Sequence, residues 1–237
     1  MNALKLLSKT GHRPWPLLNS PWVMRQRWHE LLFAHWPIAL EDIRKWVPQA
    51  LEIDTYEGQT WIGIVPFRMS GIHPRYLPSV PWLSSFLELN VRVYVTYKNK
   101  PGVFFFSLDA GNPVAVQLAR TLFFLPYFNA RMSLQKKGDF IDYQSHRTHN
   151  LAHPADFHCL YRPTGPDYLA AKGSLEHWLT ERYCLYSADA KGRIYRGEIH
   201  HTPWLLQPAE ADIHLNTLAL PMGIKLPQTQ PLLHYSH

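Results

Sequence analysis

The sequence predicts a mainly β, α+β protein whose strands form an antiparallel barrel or cone with a few short helices. Aromatic residues make up 14% of the 237-residue chain, which suits strands packed around a core better than a helical bundle rich in Leu, Ala, Glu and Lys. The 20 prolines punctuate the chain into many short elements. A chain of this length with 46% hydrophobic residues is long enough for one large core, so we expect a single domain, 1–237, with its core at about 20–215 and a loose tail at about 228–237.

The first elements are a strand and a short helix. Polar and apolar residues alternate over residues 22–28, which predicts a strand. Leu40, Ile43 and Val47 follow at helical spacing, and Pro48 stops the pattern. We therefore expect a helix over 40–47.

Three hairpins are predicted along the middle of the chain. Each combines two aromatic or β-branched runs with a short turn that contains glycine. The paired runs are 51–56 with 61–69, 89–97 with 103–108, and 132–135 with 140–145.

Two helices and a further strand pair complete the prediction. Asn112 is a suitable N-cap and Pro113 a suitable first residue for a helix over 113–124. Ser174 can cap a short helix that runs to Thr180, and strands over 182–187 and 193–201 flank a turn at 188–192. Hairpins dominate this order, so a barrel or cone is favoured over a doubly wound fold.

Charge and cysteine content limit the partners and the cellular compartment that we expect for the chain. The net charge is +6, but the basic residues are scattered and only Lys136 and Lys137 form a dense pair, so we expect no nucleic-acid partner. Cys159 and Cys184 form no CxxC motif and are too few for a disulfide framework. A reducing compartment, the cytoplasm, is the expected location.

We expect neither a signal peptide nor a membrane partner. Lys5, Lys9, His12 and Arg13 interrupt the first sixteen residues. The most apolar long region, 102–128, also contains charged residues, so no uncharged stretch reaches the roughly 18 residues that a span needs.

One predicted strand has a wholly polar face. Period-2 geometry places five polar side chains on one side of the run 88–96 and four aliphatic ones on the other; the polar residues are Glu88, Asn90, Arg92, Tyr94 and Thr96. An antiparallel sheet with one face in water gives this pattern. A barrel interior also gives it, with the polar groups converging on a small polar ligand.

Arg120 lies among apolar residues late in the predicted helix. It can be a partly buried ion-pair partner, or it can clamp a ligand carboxylate through its planar guanidinium, alone or beside Glu88. Both interpretations stay open.

No motif identifies a cofactor or a metal. The sequence has no GxSxG, Walker, GxGxxG or HExxH pattern. Four histidines cluster near Cys159 at spacings that allow metal binding, but the segment lacks the paired ligands of a structural zinc site; they are His146, His149, His153 and His158. Surface or capping roles are favoured, and we assign neither metal nor cofactor.

Several segments together resemble the uncharacterised YqjF-like bacterial family over roughly residues 22–207. They include His35-Trp36-Pro37, the run 88–92 and the run 105–109, and the others are 51–58, 61–67, 179–183 and 200–207. That family is similar, more distantly, to the acetoacetate decarboxylase superfamily, which the run 43–54 also resembles. The resemblance implies a cone-shaped antiparallel β barrel with an internal pocket.

The same resemblance implies a set of site residues. Glu88 falls where the decarboxylases place a site glutamate, and Arg120 and Pro126 keep an Arg-to-Pro spacing identical to theirs. In those enzymes two lysines follow the proline, and the first forms a Schiff base while the second lowers its pKa. This chain has Tyr127 and Phe128 there. A phenol cannot form an imine, so decarboxylation by that route is not expected.

Two classes of function remain besides a scaffold without a ligand. The chain is either a binding protein for a small polar or anionic molecule, such as a carboxylate or keto compound, or a lysine-independent lyase, hydratase or isomerase. In the binding protein Asn90, Arg92, Tyr94 and Arg120 hold the ligand. In the enzyme Glu88 is the general acid or base and Tyr127 and Arg120 stabilise an oxyanion. A site that excludes water would raise the pKa of Glu88 and favour the enzyme, whereas an ion pair with Arg92 or Arg120 would lower it. A homo-oligomer stays open.

Overall fold

The computed structural model describes residues 3–237 except 77, 79 and 81, with side chains from residue 5 onward. Strands dominate the structure: β1 (Met24–His29), β2 (Leu31–Ile38), β3 (Glu52–Ile53), β4 (Thr60–Pro74), β5 (Phe86–Tyr97), β6 (Lys100–Ala110), β7 (Tyr127–Lys137), β8 (Phe140–Arg147), β9 (Asp156–Pro163), β10 (Tyr168–Leu169), β11 (Cys184–Ala188), β12 (Ile194–Glu198), β13 (Leu205–Asn216) and β14 (Leu232–Ser236). The helices are short: α1 (Ala3–Leu7), α2 (Leu40–Arg44), α3 (Pro113–Phe123), α4 (Leu175–Thr180) and a 3-10 helix at Leu220–Met222.

Nine strands pair in a closed ring. The order is β5, β6, β7, β8, β9, β13, β14, β2 and β4, and β4 pairs again with β5. The mainly β fold predicted from the sequence is confirmed. The sheet is mixed rather than wholly antiparallel, because β6 pairs in parallel with both β7 and β11.

One apolar cluster fills the interior of the ring. It takes buried or partly buried side chains from every strand of the ring, and the buried ones include Leu89 and Val91 of β5, Tyr143 of β8 and Tyr161 of β9. The Tyr143 hydroxyl crosses this interior and donates to the main-chain carbonyl of Glu88 at 2.8 Å. The interior is therefore a packed core, and the opposite face of each strand points outward from the ring.

The helix signals read from the sequence are confirmed. Asn112 Oδ1 accepts hydrogen bonds from the amides of Val114 and Ala115 at the start of α3, and Pro113 is its first residue. Ser174 caps α4 through its hydroxyl, which accepts from the amide of His177. The described residues contain no helix of the length and apolarity that a membrane crossing requires.

The second predicted hairpin forms between β5 and β6, and the third between β7 and β8. The tight turn before β6 holds Lys98 and Asn99 at φ +50° and +58°, as two-residue hairpin turns require.

The first predicted hairpin has the wrong strand pairing. Its turn forms, with Tyr56 bridging Gln59, but Glu52 and Ile53 pair with β5. The pairing of β4 with β5 ends before Val95 and Thr96 of β5. β3 pairs with β5 at these two residues.

The C-terminal segment was predicted to be a loose tail, but it is an ordered part of the fold. Residues Leu232–Ser236 form β14, which lies between β13 and β2 and closes the ring. Tyr235 joins the interior core at 3% exposure. The core therefore extends beyond the predicted limit of residue 215.

Candidate functional site

The polar face of β5 is enclosed, but outside the ring rather than inside it. Glu88 and Asn90 are each 4% exposed and Tyr94 is 1% exposed. Apolar side chains from α4 and from the start of β7 pack over this face, among them Leu179, Trp178 and Tyr127. The sequence left open whether this face meets water or lines the barrel interior, and apolar residues fill the interior. The polar residues instead lie between the ring and a second layer.

Glu88 and Tyr127 form the first part of the site. The Tyr127 hydroxyl donates to Glu88 Oε2 at 2.7 Å. Burial raises the pKa of Glu88 to about 7, and hydrogen bonds from Tyr127 and Asn90 oppose this shift. Burial and the neighbouring Glu88 raise the pKa of Tyr127 well above its usual range. Glu88 has no ion pair with any described residue, so neither Arg92 nor Arg120 neutralises it.

Arg92 provides a cation on the same face. Its Nη2 donates to the Leu179 carbonyl at 3.3 Å, and its guanidinium carbon lies 5.2 Å from the ring centre of Phe33. Within the part of the chain that the structure describes, no carboxylate is within ion-pair distance of Arg92. No carboxylate of the described residues therefore neutralises its charge.

Tyr94 and His35 form a hydrogen-bonded pair beside Arg92. The Tyr94 hydroxyl lies 2.7 Å from His35 Nε2 and donates to the Leu179 carbonyl at 3.0 Å. Because the hydroxyl proton is used on Leu179, Tyr94 accepts from His35 Nε2–H. Burial, and then the nearby charge of Arg92, hold the pKa of His35 well below its usual range. The neutral ring thus keeps Nδ1 as an acceptor.

Several buried polar atoms of this face have no hydrogen-bond partner. They include His35 Nδ1, Asn90 Oδ1 and Arg92 Nε, together with Nδ1 of His234, which pairs with Phe33 across the sheet. An unpaired buried group costs about 1–3 kcal/mol, so native proteins supply it with water or a ligand. Both hydrogen-bond donors and acceptors are therefore left unpaired on this face.

Arg120 does not share this face. Its side chain is exposed, and Nη1 donates to the main-chain carbonyl of Tyr127 at 2.6 Å. The guanidinium also lies 5.6 Å from the ring centre of Phe128. Since Arg120 sits in the last turn of α3, next to the start of β7, it ties the helix to that strand from outside. Of the alternatives that the sequence left open for Arg120, an ion pair with Glu88 is not among the contacts of the described residues.

The clustered histidines contact separate partners. His146 lies 2.5 Å from Asp156, His158 lies 3.0 Å from Asp142, and His149 Nδ1 accepts from the Asn129 amide. Both cysteines are free and buried.

Sequence reasoning missed His35 and His234 as site residues. They are far apart in the chain and lie on neighbouring strands β2 and β14. The alternation Leu31, Phe33, His35 was a usable signal, since it places His35 on one face with two buried apolar residues.

The sequence comparisons place most of the chain in one family. The profile of DUF2071, described as an uncharacterized conserved protein (COG2071), matches residues 25–237. The chain is 52% identical over 215 residues to the uncharacterized protein YqjF of Bacillus subtilis (strain 168), covering 91% of this chain and 88% of that protein. The resemblance seen in the sequence is confirmed.

Solved structures with the same fold include enzymes. Acetoacetate decarboxylase from Legionella pneumophila aligns with a TM-score of 0.63 at 13% identity, over 100% of this chain and 92% of that one. An acetoacetate decarboxylase-like enzyme from Sphingomonas wittichii RW1 aligns with a TM-score of 0.57 at 11% identity, over 95% and 93%. The enduracididine biosynthesis enzyme MppR, complexed with the condensation product of pyruvate and imidazole 4-carboxaldehyde, gives 0.59 at 10% identity over 91% and 85%. Identities this low establish the fold alone.

Proposed function

We propose that this chain, which belongs to the DUF2071 family and has the acetoacetate decarboxylase-like fold, binds a small polar or anionic organic molecule on the enclosed face of β5. The molecule lies over Asn90, between the Glu88–Tyr127 pair and Arg92. The unpaired buried atoms of His35, Asn90 and Arg92 carry the proposal.

The charge of this face favours an anion. Arg92 has no carboxylate partner among the described residues, and the one acid on the same strand face, Glu88, is held partly protonated near neutral pH by burial. A carboxylate would accept from Arg92 in a charge-assisted hydrogen bond, the strong kind. Asn90 can donate to a second oxygen, and His35 Nδ1 can accept from a hydroxyl.

Thermal unfolding against small carboxylic and keto acids tests this proposal. A ligand that binds only the folded protein at about 100 times its Kd stabilises it by about 2.7 kcal/mol, which corresponds to a rise in Tm on the order of 5–10 °C. We expect Arg92→Gln to abolish the rise. Arg120→Ala is the matched control, because Arg120 is an exposed arginine outside this face, and it should keep the full shift. Equal loss in both variants, or none in Arg92→Gln, contradicts the proposed site.

A second candidate function is acid–base catalysis by Glu88. It is favoured by a specific arrangement: Glu88 is buried without a cation, Tyr127 occupies Oε2 at 2.7 Å, and the pKa of Glu88 is raised to about 7. A carboxylate poised near the working pH is suited to proton transfer. Oε1 would take a proton from the carbon next to a ligand carbonyl, and the resulting enolate oxygen would be stabilised by Arg92.

Proton exchange distinguishes a binding protein from an enzyme. The protein is incubated in D₂O with each keto acid that raises its Tm, and the loss of the proton signal next to the carbonyl is followed by NMR. For an enzyme we expect exchange above the buffer rate, reduced by about 10²-fold or more in Glu88→Gln, which still binds. Exchange at the buffer rate with every ligand supports binding alone.

A further inference from the structure

A separate cavity lies beside β6. Its wall is β6, where β11 pairs with Val103 and Phe104 and β7 pairs with residues from Leu108 onward. Between these two pairings, residues 105–107 have no strand partner on this edge in the described part of the chain. The sheet is therefore open where the cavity sits.

Aromatic and other apolar side chains make up most of the lining of this cavity. Phe104, Phe106 and Phe128 lie along its strands, and Trp46 and Met222 cover it. Its volume is about 330 Å³, at the low end of the roughly 300–1,000 Å³ of ligand pockets. A cavity of about 150 Å³ lined by apolar side chains binds benzene, so one twice as large accommodates two fused rings.

Three polar side chains interrupt the apolar lining, and one of them, Ser187, already donates to the Phe123 carbonyl at 2.8 Å. Ser107 is 4% exposed, lines the cavity, and its hydroxyl has no hydrogen-bond partner. Arg147 also lines the cavity but directs Nε and Nη2 to Asp109, at 2.8 and 3.2 Å. Because Asp109 already neutralises Arg147, this wall does not demand an anion. A neutral group that accepts one hydrogen bond from Ser107 completes it.

We propose that this cavity is a second binding site, for a neutral one- or two-ring aromatic molecule that carries one hydrogen-bond acceptor. The aromatic body would pack against the phenylalanine rings, and the acceptor would meet the unpaired Ser107 hydroxyl. The site does not depend on the proposed function of the Glu88 face, since Glu88, Asn90 and Arg92 do not line this cavity.

Calorimetry with 2-acetonaphthone, a neutral two-ring ketone, tests the proposal. We expect wild type to bind the ketone, and Ser107→Ala to weaken binding about fivefold to tenfold through loss of one hydrogen bond. Ser145→Ala is the matched control, because Ser145 is equally buried, also has an unpaired hydroxyl, and does not line the cavity. Its affinity should equal that of wild type. Naphthalene, which lacks the acceptor, should bind wild type and Ser107→Ala alike.

The variant Glu88→Gln separates the two sites. The substitution removes the carboxylate from the Glu88 face, and the variant should bind the ketone with the same affinity as wild type. The proposal is overturned if the ketone does not bind up to its solubility, if Ser107→Ala matches Ser145→Ala, or if Glu88→Gln loses ketone binding.

Discussion

At the scale of single residues, the burial of Glu88 lowers the stability of the folded protein at neutral pH. A buried carboxyl without a cation is less stable in its charged form than the same group in the unfolded chain. The Tyr127 hydroxyl and Asn90 reduce this penalty but do not remove it, since the pKa of Glu88 remains raised to about 7. Such an arrangement lowers the free energy of unfolding at neutral pH. Groups with strongly shifted pKa values are common where proteins bind or transform ligands.

The raised pKa gives a pH dependence with a definite sign. Between about pH 4.5 and pH 7 the folded protein holds a proton on Glu88 that the unfolded chain has lost, so Glu88 makes stability fall as pH rises through this window. We expect Glu88→Gln to remove this contribution and to be more stable than wild type at pH 8, by at most about 3 kcal/mol. Below pH 4.5 the two proteins should be about equally stable.

Urea unfolding of both proteins from pH 4 to pH 8 measures the difference. Asp109, whose pKa burial raises to about 6, is present in both proteins, so its effect cancels in the comparison. A constant difference between the curves at all pH values would contradict a raised pKa for Glu88.

At the scale of elements, local signals in the sequence predict what local contacts determine. The Asn112 cap and Pro113 define the start of α3, and the Ser174 cap defines that of α4. The β5–β6 and β7–β8 hairpins form because each strand finds its partner within one turn. Period 2 also assigned the two faces of β5 correctly. The alternation alone does not identify the face that points into the ring. A polar face usually indicates contact with water, but here residues on both faces of β5 are buried.

Pairings between distant segments escape such signals. β14 pairs with β2 near the other end of the chain, and β3 pairs with β5 although β4 is its neighbour in sequence. Arg120 shows the same limit for a site residue. Its apolar neighbours in α3 suggested burial, but the face of the helix that carries Leu118 and Leu122 is exposed.

At the scale of the whole molecule, the ring depends on its last strand. β14 joins β13 to β2, so the closed set of pairings is completed only when residues 232–236 dock. Tyr235 is the side chain of β14 that enters the interior core, where it lies 6.3 Å from Tyr161 between ring centres. A strand that closes a ring removes two free edges at once.

Tyr235→Ala should therefore destabilise the whole fold. Loss of a large buried aromatic side chain costs about 3–5 kcal/mol, and we expect one cooperative unfolding transition at lower urea concentration with the same slope. Tyr76→Ala is the matched control, because Tyr76 is 84% exposed, and it should change stability by no more than about 0.5 kcal/mol. Unfolding of Tyr235→Ala at the same urea concentration as Tyr76→Ala would contradict the prediction that the C-terminal strand holds the ring closed.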